Sequence, residues 1–199
     1  MIFTKILMLD EGPERTAALV AWLQSLYEDE ASIPVLVGGA AVELLTGGAY
    51  TTGDLDFIGE VPDEVARRLS DAGFERKGRH WIHREGQVFI EFPGDKLDSG
   101  EEAITLEAGG WKLRVLAPEA VLADRLAAWQ FWSSTTDGVN ALLILRATGD
   151  RMDLELLELL VRARDVSRAW ARLEDFSRRF STSEPTSEEI VRWAESLES

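Results

Sequence analysis

The chain has 199 residues, of which 45% are apolar and 29% charged, a composition typical of a globular protein. Its 36 Asp and Glu outnumber 21 Lys and Arg, and a net charge of −15 disfavours binding to long nucleic acids or anionic membranes. The absence of Cys and the presence of only two His exclude Cys-ligated metals, thiol catalysis and three-His zinc sites. Residues 1–10 lack a signal-peptide pattern and no apolar run could span a membrane, so we expect a cytoplasmic protein.

The first part of the sequence predicts alternating helices and strands. Apolar spacing and turn residues predict, in chain order, a helix at 16–27, a strand at 35–37, a helix at 40–45, a strand at 54–58, a helix at 62–72, and strands at 80–83, 88–92, 104–107 and 112–116. Gly86 and the pair Gly109-Gly110 separate the later strands, which indicates antiparallel hairpins.

From Pro118 onward the pattern is helical only. The predicted helices are at 118–132, 138–148, 153–164 and 167–180, with a last one after a capping box formed by Thr186 and Glu189. Asp137 is expected to be the N-cap of the helix at 138–148. We therefore predict an α+β fold: a small mixed β-sheet with flanking helices in residues 1–116, followed by an α-helical domain in residues 117–199.

Five residues between 35 and 92 form the strongest functional pattern. Gly38 and Gly39 follow a buried strand and open a helix, so that a phosphate could approach the backbone N–H groups. Asp54 and Asp56 project from one face of the next strand, and Glu91 is a lone acid in an apolar strand. Gly-Gly alone is usually a turn, and Asp-x-Asp alone is usually a solvated face. The combination favours a shared site in which a hard divalent cation relieves the repulsion between carboxylates.

This arrangement resembles the nucleotidyltransferase superfamily related to DNA polymerase beta. The resemblance lies in Val37-Gly38-Gly39, in Asp54-Leu55-Asp56 and in the later acid Glu91. Within the superfamily, the stretch from Thr52 to Asp56 and the Pro118 helix, with Arg125 at the basic position, are most similar to nucleotidyltransferases of abortive-infection and toxin–antitoxin systems and their uncharacterised bacterial relatives.

The resemblance implies transfer of a nucleoside monophosphate from a nucleoside triphosphate to a hydroxyl group of a protein, a small molecule or an RNA end. It assigns catalysis and the binding of Mg²⁺ or Mn²⁺ to Asp54, Asp56 and Glu91, and nucleotide binding to Gly38, Gly39, Thr52 and Arg125. The net charge favours a protein or small-molecule acceptor over RNA and disfavours long duplex DNA.

The alternative function is a regulatory or binding protein of the same fold with little or no activity, such as one component of a toxin–antitoxin pair. The acidic composition favours it, and so does Ala49-Tyr50, which stands where the family often has Arg. For Arg125 two roles stay open: contact with a phosphate, or an ion pair with Asp124 or Glu119.

Residues 74–84 are the one locally basic segment between the acidic strands, with Arg76, Lys77, Arg79 and Arg84. A solvated hairpin and a phosphate-binding segment are both compatible with this pattern. If RNA is the acceptor, we expect contacts with its terminal nucleotides only, through the first three of these residues. His80 and His83 should point to opposite faces of a strand, which argues against a shared metal.

Overall fold

A computed structural model describes residues 3–196, which form two compact units. The chain passes from the first unit to the second between Ala117 and Pro118. The boundary predicted from sequence lies after Leu116. Within the described residues, no helix has both the length and the apolar character needed to cross a membrane.

The first unit contains four α-helices and seven strands within its described residues. The helices are α1 (Phe3–Ile6), α2 (Pro13–Gln24), α3 (Gly38–Leu45) and α4 (Asp63–Asp71). The strands are β1 (Val35–Val37), β2 (Asp54–Ile58), β3 (Glu75–Lys77), β4 (His80–His83), β5 (Val88–Gly94), β6 (Ala103–Ala108) and β7 (Trp111–Leu116). Proline at the start of α2 fits the first helical turn, where no backbone N–H is needed.

The strands form one mixed sheet in the order β3-β4-β5-β2-β1-β7-β6. The pairs β2–β5 and β1–β7 are parallel, and the other neighbours are antiparallel. The expected fold class is therefore confirmed. The strand β1 lies beside β2, which carries Asp54 and Asp56, and β5, which carries Glu91, lies on the other side of β2.

The two faces of the sheet differ in burial. One face of the sheet is covered by α2 and α3. Leu55, Phe57 and Ile90 point to this face and are almost fully buried. Asp54 and Phe89, which alternate with them, are exposed on the other face. The buried face supplies most of the apolar stabilisation, and the open face is available for a ligand.

Two elements of the first unit were not predicted. The strand β3 has three exposed residues without an apolar alternation, so it forms only because β4 supplies hydrogen bonds. Helix α1 is a single turn whose Phe3 packs on Trp22, Phe74 and His83. The strand β3 depends on its pairing with the neighbouring strand β4, and α1 depends on side chains far away in the sequence. Local patterns do not reveal either contact.

The second unit is helical throughout the described residues. Its helices are α5 (Pro118–Trp132), α6 (Thr135–Thr148), α7 (Leu154–Ala163), α8 (Ser167–Arg179) and α9 (Ser187–Glu195). Trp129 is buried against Trp193 and donates its indole N–H to the Ala194 carbonyl at 2.7 Å. This contact fixes α9 to α5.

The helix starts of the second unit test the capping expectations. The capping box of Thr186 and Glu189 is present at the start of α9. The N-cap of α6 is Ser134 and not Asp137: the Ser134 hydroxyl accepts from the Asp137 N–H, so the helix starts three residues earlier than expected. Leu197, which the helical pattern placed on the apolar face of the last helix, lies outside the described residues.

The buried Gln24 side chain links the end of α2 to the residue before β1 and to the middle of β7. Its amide donates to the carbonyls of Pro34 and Arg114, at 2.9 and 2.8 Å, and accepts from the Arg114 N–H at 3.0 Å. A buried backbone group that loses its partner costs about 1–3 kcal/mol. Gln24→Met should therefore lower the free energy of unfolding by about 2–4 kcal/mol in urea titrations. Gln130→Met is the comparison: this partly exposed amide donates to the Asp165 carbonyl and accepts from the Ala169 N–H, and its loss should cost less because water can replace it.

Candidate active site on the open face of the sheet

The three predicted acidic residues lie on one face of two adjacent strands. In the parallel pair of β2 and β5, Asp56 is directly opposite Glu91, and paired residues of neighbouring strands project to the same side. Asp54 shares this side because it is two residues before Asp56 on the same strand. The fold therefore brings together carboxylates that are 35 residues apart in sequence.

Gly38 lies directly against one of these carboxylates. It begins α3 with a φ of 66°, in the left-handed region, and a Cβ atom at this position would overlap the Asp56 carboxylate. Only glycine meets both conditions without strain. The next residue, Gly39, is packed less closely on the Thr52 side chain, where an added Cβ would lie 3.0 Å from the hydroxyl oxygen.

The Glu91 carboxylate has two partners that the sequence did not reveal. One oxygen lies 2.7 Å from Nε of Arg79, and the other lies 3.2 Å from Nε2 of His80. His80 is half-exposed while His83 is buried, in agreement with their expected opposite orientations. A hairpin within residues 74–84 was one of the two interpretations of the sequence, but the strand register that brings Arg79 and His80 to Glu91 could not be read from it.

The donor chemistry of this face fits a hard divalent cation. All three acids offer carboxylate oxygens, the ligands that Mg²⁺ prefers, and Gly38 leaves space for the Asp56 carboxylate beside the backbone. In the arrangement described here, Glu91 is turned to Arg79 and His80. Among residues 3–196, no three acidic or histidine side chains form a ready metal-binding group. A cation bound by all three acids would therefore have to replace the two contacts at Glu91.

Comparisons with known proteins agree with this architecture. Neither the family comparison nor the comparison with curated proteins returns a match. Among solved structures, the chain is similar to an antigenic nucleotidyltransferase-like protein from Paracoccidioides brasiliensis, with a TM-score of 0.51, 19% identity, and coverage of 77% of this chain and 91% of that one. It is also similar to the antibiotic-resistance factor ANT(2'')-Ia, with a TM-score of 0.51, 17% identity, and coverage of 90% of this chain and all of that one. The chain has the nucleotidyltransferase fold.

In this nucleotidyltransferase fold, a buried carboxyl group supports the loop before Asp54. Glu43 on α3 is fully buried and accepts hydrogen bonds from the Thr16 hydroxyl at 3.1 Å and from the Thr52 N–H at 3.5 Å. Its other oxygen, Oε1, has no partner within the described residues. Glu43 thus fixes the backbone of Thr52, a predicted nucleotide-binding residue. The Thr52 hydroxyl lies 3.5 Å from the Asp54 nitrogen.

A cavity of about 240 Å³ opens beside this loop. Its polar lining includes Glu11, Arg15, Thr51, Thr52 and Gln87. Arg15 is fixed there by a 2.7 Å hydrogen bond to the Gly86 carbonyl. The sequence did not point to Arg15 or Glu43, although a single Glu inside an apolar helix was a visible signal for a buried polar contact.

Arg125, the other predicted nucleotide-binding residue, lies in the second unit. Its guanidinium Nη1 lies 2.7 Å from the Asp137 carboxylate, and both side chains are mostly buried. Of its two expected partners, Asp124 pairs with Arg164, and Glu119 accepts from the Asp153 N–H. The ion-pair interpretation thus applies with a different partner, and a phosphate would have to compete with Asp137 for this guanidinium.

Replacement of Gly38 by alanine should disturb the site more than backbone strain alone explains. Gly38→Ala and the control Gly47→Ala both place a side chain at a φ near 65°, but a Cβ at Gly47 meets nothing within 4 Å. Each variant should lose about 1–2 kcal/mol of unfolding free energy from strain. Gly38→Ala should lose at least about 1 kcal/mol more, because the Asp56 carboxylate must move. Equal losses in urea titrations would contradict the close packing of Gly38 on Asp56.

The Glu43 carboxyl should make stability depend on pH. Burial raises its pKa above the usual range of a Glu, against the opposing hydrogen bonds from Thr16 and Thr52. The folded state therefore holds the proton more tightly than the unfolded state, and stability falls as pH rises from the ordinary Glu range through the raised pKa. Glu43→Gln removes this loss, so its stability relative to wild type should increase as pH rises from the ordinary Glu range through the raised pKa. A difference that is flat with pH, in urea unfolding of both proteins, would contradict this.

Proposed function

We propose that this protein transfers a nucleoside monophosphate from a nucleoside triphosphate to a hydroxyl group of an acceptor. One observation carries the proposal: Asp54, Asp56 and Glu91 share the open face of the sheet, and Gly38 lies against the central carboxylate. Such a set of oxygen ligands beside a glycine-opened helix suits a polyphosphate with its divalent cation. The fold of two solved nucleotidyltransferase-type structures supports the same reaction class.

The residues of this face would have different roles in the reaction. Asp54, Asp56 and Glu91 would hold Mg²⁺ or Mn²⁺, which when bound neutralises phosphate charge and lowers the pKa of the acceptor hydroxyl. The backbone N–H groups at Gly38 and Gly39 bind phosphate oxygens at the positive end of α3. The acceptor oxygen forms a bond to the α-phosphorus while the bond to the bridging oxygen breaks and pyrophosphate leaves. A carboxylate of the set takes the hydroxyl proton.

Phe89 is a further residue suited to this reaction. It is paired with Asp54 in the parallel register of β2 and β5, and it exposes 43% of its surface on the same open face. An exposed aromatic ring beside the phosphate-binding groups offers a flat surface for stacking of a nucleobase. Its position agrees with binding of nucleotides in general and selects no particular base.

The acceptor is proposed to be a protein or a small molecule. Each phosphate contact of a long nucleic acid requires a Lys or Arg, and the chain carries a net charge of −15. Long duplex DNA is therefore a poor substrate, and any RNA contact would be confined to terminal nucleotides.

The decisive experiment is transfer of label from α-³²P nucleoside triphosphates to proteins or small compounds of a cell lysate, with added Mg²⁺ or Mn²⁺. Asp56→Asn and Glu91→Gln should each reduce transfer by at least about a hundredfold, because the loss of one carboxylate weakens both charge neutralisation and geometry. Glu107→Gln is the control, since this exposed acid lies on the outermost strand β6 and should leave transfer unchanged.

Melting curves give a second measurement that needs no acceptor. Mn²⁺ with a nucleoside triphosphate at 100 times its dissociation constant should stabilise the wild type by about 2.7 kcal/mol. Asp56→Asn should lose most of this stabilisation, whereas Glu107→Gln should retain it. A wild type that neither transfers label nor responds to Mn²⁺ and nucleotide would favour the regulatory protein without activity.

A further inference from the structure

A row of paired residues crosses the open face of the sheet and divides it by charge. Strand register places Lys77 opposite His80, His80 opposite Glu91, Glu91 opposite Asp56, and Asp56 opposite Val37. Residues paired in this way project to the same side of a sheet. The row thus begins at Lys77 and His80 on β3 and β4, which form its basic end. It continues through the carboxylates of β5 and β2 to the start of α3.

Arg79 strengthens the basic end of this row. It lies in the tight turn between β3 and β4, and its guanidinium reaches the Glu91 carboxylate together with His80. Arg79 is 60% exposed and the ion pair is accessible to water. Exposed ion pairs contribute only about 0–1 kcal/mol, so a metal ion or an anionic ligand can displace this contact at small cost.

Asp56 separates two sides of the site. On the β1 side lie Gly38 and Gly39, which in the proposed function bind the phosphates of the nucleotide. On the β5 side lie Glu91 and then the basic end formed by Lys77, Arg79 and His80. If the nucleotide occupies the glycine side, the acceptor must approach the α-phosphate from the Glu91 side, where these cations lie.

We propose that the acceptor is a small hydroxyl compound that carries a phosphate group, and that Lys77 and Arg79 bind this phosphate with the help of His80. The inference rests on the proposed function and specifies its acceptor. Two cations beside a donor imidazole match the charge of one phosphate monoester. The excess of acidic residues elsewhere in the chain disfavours additional phosphates of a polymer. Arg79 then exchanges Glu91 for the acceptor phosphate when a cation binds Glu91.

This exchange has a consequence that a purely structural ion pair would not have. In the absence of ligands, Arg79 competes with a divalent cation for the same carboxylate. Removal of Arg79 should therefore strengthen the binding of Mn²⁺ and at the same time weaken the binding of the phosphate-bearing acceptor. The two effects of one substitution have opposite signs.

The test uses the full chain and the variants Arg79→Gln and Lys77→Gln. Arg84→Gln is the matched control, because Arg84 ends the same hairpin but pairs with Glu75 outside the row. Binding of Mn²⁺ alone is measured by electron paramagnetic resonance. Binding of ribose 5-phosphate, with unphosphorylated ribose as its matched probe, is measured by NMR titration in the presence of excess Mg²⁺, because the proposed exchange frees Arg79 only when a cation occupies Glu91. A nonhydrolysable nucleoside triphosphate with Mn²⁺ is titrated separately.

We expect Arg79→Gln to bind Mn²⁺ at least about threefold more tightly, because the positive charge that competes with the metal ion for Glu91 has been removed. Arg79→Gln and Lys77→Gln should each bind ribose 5-phosphate about tenfold more weakly, the loss typical of one charge-assisted hydrogen bond. The affinity for unphosphorylated ribose should be the same in wild type and in all three variants. Arg84→Gln should stay within about twofold of wild type in every titration, and at saturating Mn²⁺ the nucleotide affinity of Lys77→Gln and Arg84→Gln should be unchanged.

Three results would overturn the inference. Equal behaviour of Arg79→Gln and Arg84→Gln would make the Glu91 contact a structural ion pair only. Loss of nucleotide affinity in Lys77→Gln would assign the basic end to the nucleotide. A trinucleotide RNA that binds more tightly than ribose 5-phosphate, and depends on the same residues, would replace the small acceptor with an RNA end. Failure of the proposed function itself gives a different result: the wild type then binds neither Mn²⁺ nor nucleotide.

Discussion

The repulsion between carboxylates on one sheet face is the constraint around which the first unit is arranged. Asp54, Asp56 and Glu91 project from adjacent strands into the same open space, and such a group is stable only near positive charge or N–H donors. In the structure, Arg79 and His80 supply these partners at Glu91, and the backbone at Gly38 lies against Asp56. In the proposed function, a metal ion would bind the carboxylates themselves, whereas Arg79, His80 and the Gly38 backbone would contact phosphate groups.

The opposite side of the sheet makes this arrangement rigid. Leu55 and Phe57 alternate with the acids along β2 and are buried on the face that α3 covers, so a shift of one residue would place the acids in the core. Gln24 makes three hydrogen bonds to the backbone of Pro34 and Arg114, and Glu43 accepts a hydrogen bond from the loop before Asp54. A buried polar group is costly unless it is bonded. Both side chains therefore fix their neighbours in one arrangement, which favours a preorganised site.

The fold and the chemistry of the acceptor are separate questions. At 17–19% identity, the two similar structures establish the architecture, whereas the reaction must be argued from the residues of the site. In the proposed function, the acidic set and the glycine turn bind the nucleotide, and the basic hairpin of β3 and β4 binds the second substrate. A strongly acidic protein that concentrates cations at one end of its carboxylate row is suited to a small anion and not to a polymer.

The sequence by itself determined the order of most elements and the residues of the acidic set. Period-two alternation in β2, the Gly-Gly pair and the lone Glu in an apolar strand are local patterns, and local patterns can be read without a structure. Only the tertiary structure decided the partners of Glu91 and Arg125 and the presence of β3 and α1. Those features depend on strand register and on contacts between distant residues, such as Arg125 with Asp137 or Phe3 with Phe74. Pairing across strands and helices is set by the packing of the whole unit, and no single segment of the sequence encodes it.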